Sequence, residues 1–311
     1  MHLAAAFLFV LLLSEVHAES GALVLEHPAV YQVEFGFTIT SASPLPERVE
    51  AWLPYPVDRA GQKVGRIRTS LPPTHHTREP ACFYWRIDHP AVSPISASQS
   101  FELTVWEKRL DHSRYRARSY NTRSGEYRRY TASSPHIDLS DPWVVGQAET
   151  LRVKYSDPLD RARAAYDLVC DHLDYVRIYG FGGSRYAARE GHGECGDYSC
   201  LFAALCRKSG IPARPVVGYW ATELDEAHVW AEFFLEGVGW IPCDPSQGDL
   251  VDRDRFFARL DNMRVSLNHD VDISLPYGTD VKVAPIFQTG VYWIKGGTNV
   301  KITPILRAER K

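Results

Sequence analysis

Residues 191–206 read GHGECGDYSCLFAALC, and this stretch decides the fold expected for the second half of the chain. Three glycines surround Cys195, and the residues after it place large apolar or aromatic side chains at intervals of three and four: Tyr198, Leu201, Phe202 and Leu205. This spacing predicts a helix that begins at Cys195 and buries one face. Gly210 is placed to end that helix. The glycine-rich segment 175–194 is expected to be a loop.

The sequence before and after residues 191–206 also predicts regular secondary structure. Upstream, Ser156-Asp157-Pro158 combines a capping residue with a proline and predicts the start of a helix. Its apolar residues again step by three and four: Leu159, Ala162, Tyr166, Val169 and Leu173. Downstream, residues 214–220, 228–235 and 240–243 are typical of strands, with Gly237 and Gly239 marking a tight turn. The expected order is therefore helix, helix, and then antiparallel strands.

The predicted position of Cys195 has a chemical consequence. At a helix N-terminus, exposed amide N–H groups and the helix dipole favour the thiolate, which is the nucleophilic form of cysteine. The neighbouring glycines allow a substrate backbone to approach closely. A nucleophile of this kind still needs a base, and the base needs a group that orients it.

His228 and Asp244 have the right positions for these two roles. His228 begins one predicted strand, and Asp244 follows the end of the next, so the two side chains should lie near each other. Taken singly, each residue has an ordinary explanation, because helical cysteines are often buried and an Asp before Pro is usually part of a turn. The three residues together, in this order along the chain, are far more specific evidence for a catalytic site. They predict Cys195 as nucleophile, His228 as base and Asp244 as the orienting carboxylate.

The same residues resemble a known family. The segments GECGDY at 193–198, ALCR at 204–207 and GIPAR at 210–214 are similar to the transglutaminase-like core. The segments HVWAE at 228–232 and GWIPCDPS at 239–246 resemble its His and Asp motifs. The resemblance covers residues 156–250 and implies a papain-like fold with Cys195, His228 and Asp244 as the catalytic triad. More loosely, AWLP at 51–54 resembles the β-domain of secreted bacterial members.

The first half of the chain predicts an all-β region without a catalytic constellation. Tyr31, Val33, Phe35, Phe37 and Ile39 alternate with more polar residues, and Pro, Gly and Ser turns separate short strands. The fold class expected is α+β: a papain-like core of helices packed on an antiparallel sheet, preceded by a β-sandwich-like domain. The predicted boundaries are 1–18 for a signal peptide, 19–140 for the β-domain, 141–262 for the catalytic domain and 263–311 for a strand-rich tail.

The composition and net charge of the chain exclude some classes of function and favour others. The net charge of −3 over 311 residues gives no basic field for nucleic acid. The apolar run 3–13 followed by Val16-His17-Ala18 predicts a secretory signal cut after Ala18, and hence a secreted or periplasmic protein. No later segment is long and apolar enough to cross a membrane. Six cysteines permit disulfides in an exported protein, but their pairing cannot be chosen from the sequence.

Several neighbouring residues are expected to play supporting roles. Structural roles are predicted for Asp197, Tyr198, Trp230, Glu232 and Trp240, and Arg214 is a candidate partner of Glu232. No cofactor is expected, and His192 with Cys195 and His228 makes a poor metal site. The backbone N–H of Cys195 is an obvious oxyanion donor. The second donor stays open among Tyr175, Tyr179 and Tyr186.

Three functions fit these residues. The first is a peptidase or amidase in which water resolves a thioester, and an exported chain without visible cross-linking apparatus favours it. The second is an acyltransferase in which an amine resolves the same thioester and forms a cross-link. The third is a non-catalytic module that binds a surface polymer or partner. The first two imply a protein or peptide substrate, and the oligomeric state stays open.

Overall fold

A computed structural model describes residues 21–177, 180–221, 226–278 and 282–311. The predicted signal peptide at 1–18 lies outside these ranges. Within them, the helices are α1 (Gly125–Tyr130), α2 (Pro142–Lys154), α3 (Pro158–His172), α4 (Gly183–Glu190), α5 (Cys195–Lys208) and α6 (Pro245–Leu250). The strands of the first half are β1 (Leu23–Pro54), β2 (Gln62–Val64), β3 (Arg68–Thr69), β4 (His75–Arg78), β5 (Ala81–Asp88) and β6 (Ile95–Leu110). The later strands are β7 (Asp174–Tyr175), β8 (His192–Gly193), β9 (Ala213–Trp220), β10 (Ala227–Leu235), β11 (Gly239–Cys243), β12 (Arg259–Leu260), β13 (Arg264–His269), β14 (Ile273–Leu275), β15 (Lys282–Ala284) and β16 (Val291–Arg310).

The helical core forms around α5. Its residues from Gly196 to Arg207 are all buried, and α2, α3, α4 and the strands β9 and β10 pack around it. Asp157 caps α3 by accepting a hydrogen bond from the backbone N–H of Leu159, with Pro158 in the first turn. Gly210 follows the end of α5 with φ at +90°, a left-handed conformation that glycine adopts without strain. Both predicted helices, α3 and α5, therefore begin where the sequence indicates.

Antiparallel strands form the sheet on which α5 packs. Their order is β11-β10-β9-β13, and the register sets His228 opposite Gly218 and Glu232 opposite Arg214. The three strands predicted downstream of Cys195 are β9, β10 and β11, and β13 adds a further strand at the β9 edge. Helices packed on this antiparallel sheet confirm the predicted α+β class.

The strand-rich half builds a second sheet around the long strand β1. Tyr31, Val33, Phe35, Phe37 and Ile39 are buried, as the alternation predicts. They share one core cluster with Tyr219, Val265 and Leu267 of the catalytic sheet, so the two sheets bury apolar faces against each other. The segment 41–46, which interrupts the predicted pattern, is where the pairing of β1 with β16 shifts register.

The structure differs from the sequence-based prediction at several elements. The predicted loop 175–194 contains the helix α4, and α1, α2 and α6 were not predicted. The strand β13 from the predicted tail pairs with β9, and β16 pairs along β1 of the first half. Strand pairing therefore connects the tail to both earlier parts of the chain. In the described part of the chain, no helix has the length and apolar character that crossing a bilayer requires.

Candidate active site

Cys195 is the first residue of α5, and its immediate surroundings are tightly fixed. Glu194 and Asp197 form a reciprocal capping box at the start of the helix. The Oδ1 atom of Asp197 also accepts hydrogen bonds from the backbone N–H groups of Gly182 and Gly183, at 3.1 and 2.8 Å. These bonds hold the preceding segment against the helix start. Cys195 remains partly exposed, which leaves its thiol accessible from the cleft.

His228 lies between Cys195 and Asp244. Its Nε2 atom is 2.7 Å from Oδ2 of Asp244, and its ring is also hydrogen-bonded to the Cys195 side chain. Because Asp244 engages Nε2, the other ring nitrogen, Nδ1, is left for the thiol. His228 is 5% exposed and Asp244 is fully buried, so water competes little with these contacts. The three residues singled out from the sequence are thus brought together in the order thiol, imidazole, carboxylate.

The electrostatics of this group favour a protonated imidazole beside a carboxylate. Burial by itself lowers the pKa of His228, but the charge and hydrogen bond of Asp244 and the contact with Cys195 raise that pKa to about 9. Burial likewise opposes ionisation of Asp244, yet His228 and Arg264 hold the pKa of its carboxyl well below the usual value. An imidazolium at this position can stabilise a neighbouring thiolate and can later donate a proton.

Arg264 is a further member of this group that sequence reasoning missed. Its guanidinium binds Oδ2 of Asp244 through Nη1 and Oδ2 of Asp261 through Nη2, the latter at 2.9 Å. The same guanidinium lies 4.2 Å from the ring centre of Trp220, and that ring stacks on His228 at 4.9 Å. Asp244 also accepts bonds from Ser246 Oγ and the Gln247 backbone N–H. Four donors therefore hold the carboxylate in one orientation.

The part of the chain that contains these residues is similar to known proteins. The family model described as the transglutaminase-like superfamily matches residues 146–245. The matched segment includes Cys195, His228 and Asp244, and its similarity supports this superfamily for that part of the chain. A protein-glutamine gamma-glutamyltransferase of Pseudomonas aeruginosa is 27% identical over 113 residues, which are 33% of this chain and 16% of that protein. The chain thus spans about a sixth of the length of this curated relative.

Solved structures are also similar to this chain. A "Putative Cysteine Protease from Cytophaga hutchinsonii" aligns with a TM-score of 0.64 at 14% identity, over 93% of this chain and 92% of that chain. The periplasmic domain of TgpA from Pseudomonas aeruginosa gives a TM-score of 0.40 at 17% identity, over 71% of this chain and 90% of that chain. The first alignment shows that the overall fold of this chain, including its strand-rich half, occurs in another protein.

The cleft of the transglutaminase-like core has a volume of about 380 Å³ and contains both Cys195 and His228. Tyr175 lines it because β7 pairs in parallel with β8, which sets Tyr175 beside Gly193. Tyr186 is engaged elsewhere, since its hydroxyl is 2.8 Å from Nε2 of His192. Tyr179, the third candidate oxyanion donor, lies outside the described residues.

The remaining predicted residues have identifiable contacts. The guanidinium of Arg214 donates two hydrogen bonds to Glu232, at 2.8 and 3.1 Å, as the sequence suggested. Trp240 donates from its indole N–H to Glu126 at 2.8 Å. The Tyr198 hydroxyl is within hydrogen-bonding distance of the Leu173 carbonyl and Asp249. Trp230 lies in the same ring stack as His228, with centroids 6.3 Å apart.

The six cysteines all carry free thiols, and only Cys195 is partly exposed. Burial raises the pKa of the other five, to about 12 for Cys82 and Cys170. Cys195 is therefore the one thiol of the chain that is both accessible and hydrogen-bonded to an imidazole. Among the described residues, no three His, Cys, Asp or Glu side chains are grouped so that they could hold a metal ion.

Proposed function

We propose that this protein performs cysteine-based acyl chemistry on amide bonds of a protein or peptide, with Cys195 as nucleophile, His228 as acid–base and Asp244 as the orienting group. The observation that carries the proposal is the buried hydrogen bond of 2.7 Å between His228 and Asp244, with the Cys195 thiol on the other side of the imidazole. This arrangement supplies a nucleophile, a proton donor and a fixed tautomer in one cleft.

The reaction begins with the thiolate of Cys195 attacking the carbonyl carbon of the amide. The carbonyl electrons move to oxygen and form a tetrahedral oxyanion. When this intermediate collapses, His228 gives its proton to the departing nitrogen, and an amine or ammonia leaves. A thioester on Cys195 remains. A second nucleophile then gives its proton to His228, attacks the thioester, and releases the acyl product and the thiolate.

Tyr175 is the second oxyanion donor in this proposal, beside the backbone N–H of Cys195. The pairing of β7 with β8 brings it to the wall of the cleft. Burial, together with the nearby Cys195 and Glu194, raises the pKa of its hydroxyl to about 12. The hydroxyl is therefore protonated at neutral pH and can donate a hydrogen bond to a developing oxyanion.

Replacing Tyr175 by Phe tests this assignment. Loss of one oxyanion donor should lower kcat by about 10²-fold while KM changes little, because the bond forms only in the transition state. Tyr186→Phe is the matched control, since the Tyr186 hydroxyl is bound to His192. Steady-state kinetics of both variants supply the comparison. Equal kcat values for wild type and Tyr175→Phe would remove Tyr175 from the oxyanion site.

We propose water as the second nucleophile. The lining of the cleft includes Arg177 and Glu226, which form an exposed ion pair at 3.6 Å with side chains 80% and 50% accessible. Charged, exposed side chains at this position keep the cleft hydrated. A thioester on the partly exposed Cys195 is then open to water, and hydrolysis follows.

The alternative nucleophile is an amine, which would make the protein an acyltransferase. The observation in its favour is the curated relative from Pseudomonas aeruginosa, which is named a protein-glutamine gamma-glutamyltransferase. The two reactions share every step up to the thioester, so only the product distinguishes them.

A product assay in isotope-labelled water separates the two. Casein is incubated with the protein, with and without a biotin-linked primary amine, and the peptides are analysed by mass spectrometry. Hydrolysis predicts labelled oxygen in new carboxyl groups and little biotin, while amine transfer predicts biotinylated glutamines. If neither product forms with casein or with a panel of bacterial envelope peptides, the non-catalytic binding module becomes the better description.

We also propose that the chain acts outside the cytoplasm. The support is the apolar run 3–13 followed by the small-residue site at Val16-His17-Ala18. An extracytoplasmic location suits a substrate that is an extracellular or envelope protein or peptide.

A further inference from the structure

A second cavity lies between the catalytic sheet and the strand-rich half. It has a volume of about 470 Å³ and shares no lining residue with the described part of the catalytic cleft. Arg59 and Lys108 reach it from the strand-rich half, and Arg214, Glu232 and Trp230 reach it from the catalytic sheet. A cavity of this size is in the range that holds a small ligand.

The buried charges around this cavity do not balance. Lys108 and Arg214 both point at Glu232, at 3.5 and 2.8 Å, and these three side chains are only 12%, 9% and 8% exposed. Arg59 adds a third cation. One carboxylate therefore faces three cations in a region of low solvent access, where an uncompensated charge is costly.

His269 does not correct this imbalance. Nη1 of Arg59 lies 2.5 Å from both ring nitrogens of His269. Because arginine can only donate, one of these nitrogens has to accept and therefore carries no proton. Burial and the cations Arg214, Arg59 and Lys108 lower the pKa of His269 well below its usual value. His269 is thus neutral, and the excess positive charge remains.

The cavity also contains buried hydrogen-bond donors without acceptors. Within the described residues, Nε of Arg59, Nε1 of Trp230 and Oγ of Ser266 are buried and unpartnered, and all three residues line this cavity. Buried donors in native proteins are nearly always satisfied. Three such donors in a cavity lined by an excess of cations fit a ligand that accepts hydrogen bonds and carries negative charge.

The other acidic residues lining the cavity do not supply that acceptor. Asp58, Glu79 and Glu126 are exposed, and Glu126 already accepts from Trp240. Asp261 is engaged by Arg264. The interior of the cavity therefore keeps its positive character.

We propose that this cavity is a binding site for a small oxyanion, either a phosphate or the carboxylates of a small organic acid, separate from the catalytic cleft. The anion would accept from Arg59, Trp230 and Ser266 and would neutralise the charge that Glu232 leaves uncompensated. Charge-assisted bonds of this kind are among the strong hydrogen bonds of proteins.

Titration calorimetry of the full chain tests the site, with inorganic phosphate and succinate as separate probes at an ionic strength held constant with sodium chloride. We expect saturable binding of one anion per chain. Lys108→Met and Arg59→Met should each weaken binding by about tenfold through loss of a charged partner. Lys301→Met, an exposed lysine on β16, is the matched control and should bind as wild type does.

Binding of phosphate alone or succinate alone identifies which oxyanion the site prefers, and binding of both supports the shared chemistry. Cys195→Ser should bind the anion unchanged, which separates this site from the catalytic proposal. If Lys108→Met or Arg59→Met fails to fold, Ser266→Ala removes one unpartnered donor without changing a charge and should also weaken binding. The proposal would be overturned if titration with either anion released only the heat measured with sodium chloride. It would also be overturned if wild type and the folded variants bound the anion with equal affinity.

Discussion

Cys195→Ser should lose acyl transfer almost completely, by roughly 10⁴-fold or more in kcat, while the fold stays intact. A serine hydroxyl is hardly ionised near neutral pH, and the imidazolium of His228 cannot stabilise it as it stabilises a thiolate. The exchange of sulfur for oxygen at a partly exposed helix start costs little packing. Product formation and thermal unfolding of the same preparation give the two quantities.

Cys82→Ser provides the matched control for this variant. Cys82 is a buried thiol in β5 that belongs to a different core cluster from α5, and it contacts the Phe83 carbonyl at 3.2 Å. Its replacement should leave kcat unchanged. Comparable turnover in Cys195→Ser and wild type would show that Cys195 is not the nucleophile.

Asp244→Asn should lower kcat by about 10³- to 10⁴-fold, because an amide can hold the imidazole in the wrong tautomer and cannot stabilise its charge. It should also shift the alkaline limit of activity. In the wild type, His228 loses its proton as pH rises through about 9. Without the carboxylate, burial lowers the pKa of His228, so activity should be lost at lower pH. A pH series of kcat for both proteins measures this shift.

Stability separates the catalytic role of Asp244 from a structural one. Asp244 also binds the buried Arg264, so its replacement should cost up to about 3 kcal/mol of folding free energy. Asp261→Asn is the control, because it removes the other partner of Arg264 without touching His228. A destabilised Asp244→Asn protein with normal kcat would make Asp244 a structural residue only.

Local signals explain why much of the core was predictable. The helix start at Cys195, the strands that follow and the pair Arg214–Glu232 depend on residues close in sequence or on adjacent strands. Asp-Pro opens α3 at Asp157, and the same pair opens α2 at Asp141 and α6 at Asp244. Two of the unpredicted helices were therefore marked in the sequence.

Other features depend on register between distant segments and could not be predicted. Arg264 reaches Asp244 only because β13 pairs with β9, and nothing in the sequence near Arg264 indicates that pairing. The cavity that we propose binds a small anion likewise forms only because Arg59 and Lys108 of the strand-rich half meet Arg214 of the catalytic sheet. Helix α4 is short and lies between glycines. Because glycines are typical of loops, the sequence of this segment predicts a loop instead of a helix.

We expect Cys195 and His228 to act as a coupled pair. The most direct test is the rate of alkylation by iodoacetamide across a pH series, in wild type and His228→Ala, with peptide mapping to locate the label. The five buried cysteines are internal controls and should stay unlabelled in the native protein. We expect wild-type Cys195 to be labelled much faster than Cys195 of His228→Ala while His228 is protonated, and this difference to shrink as pH rises through about 9. The same pH dependence in both proteins would contradict this coupling.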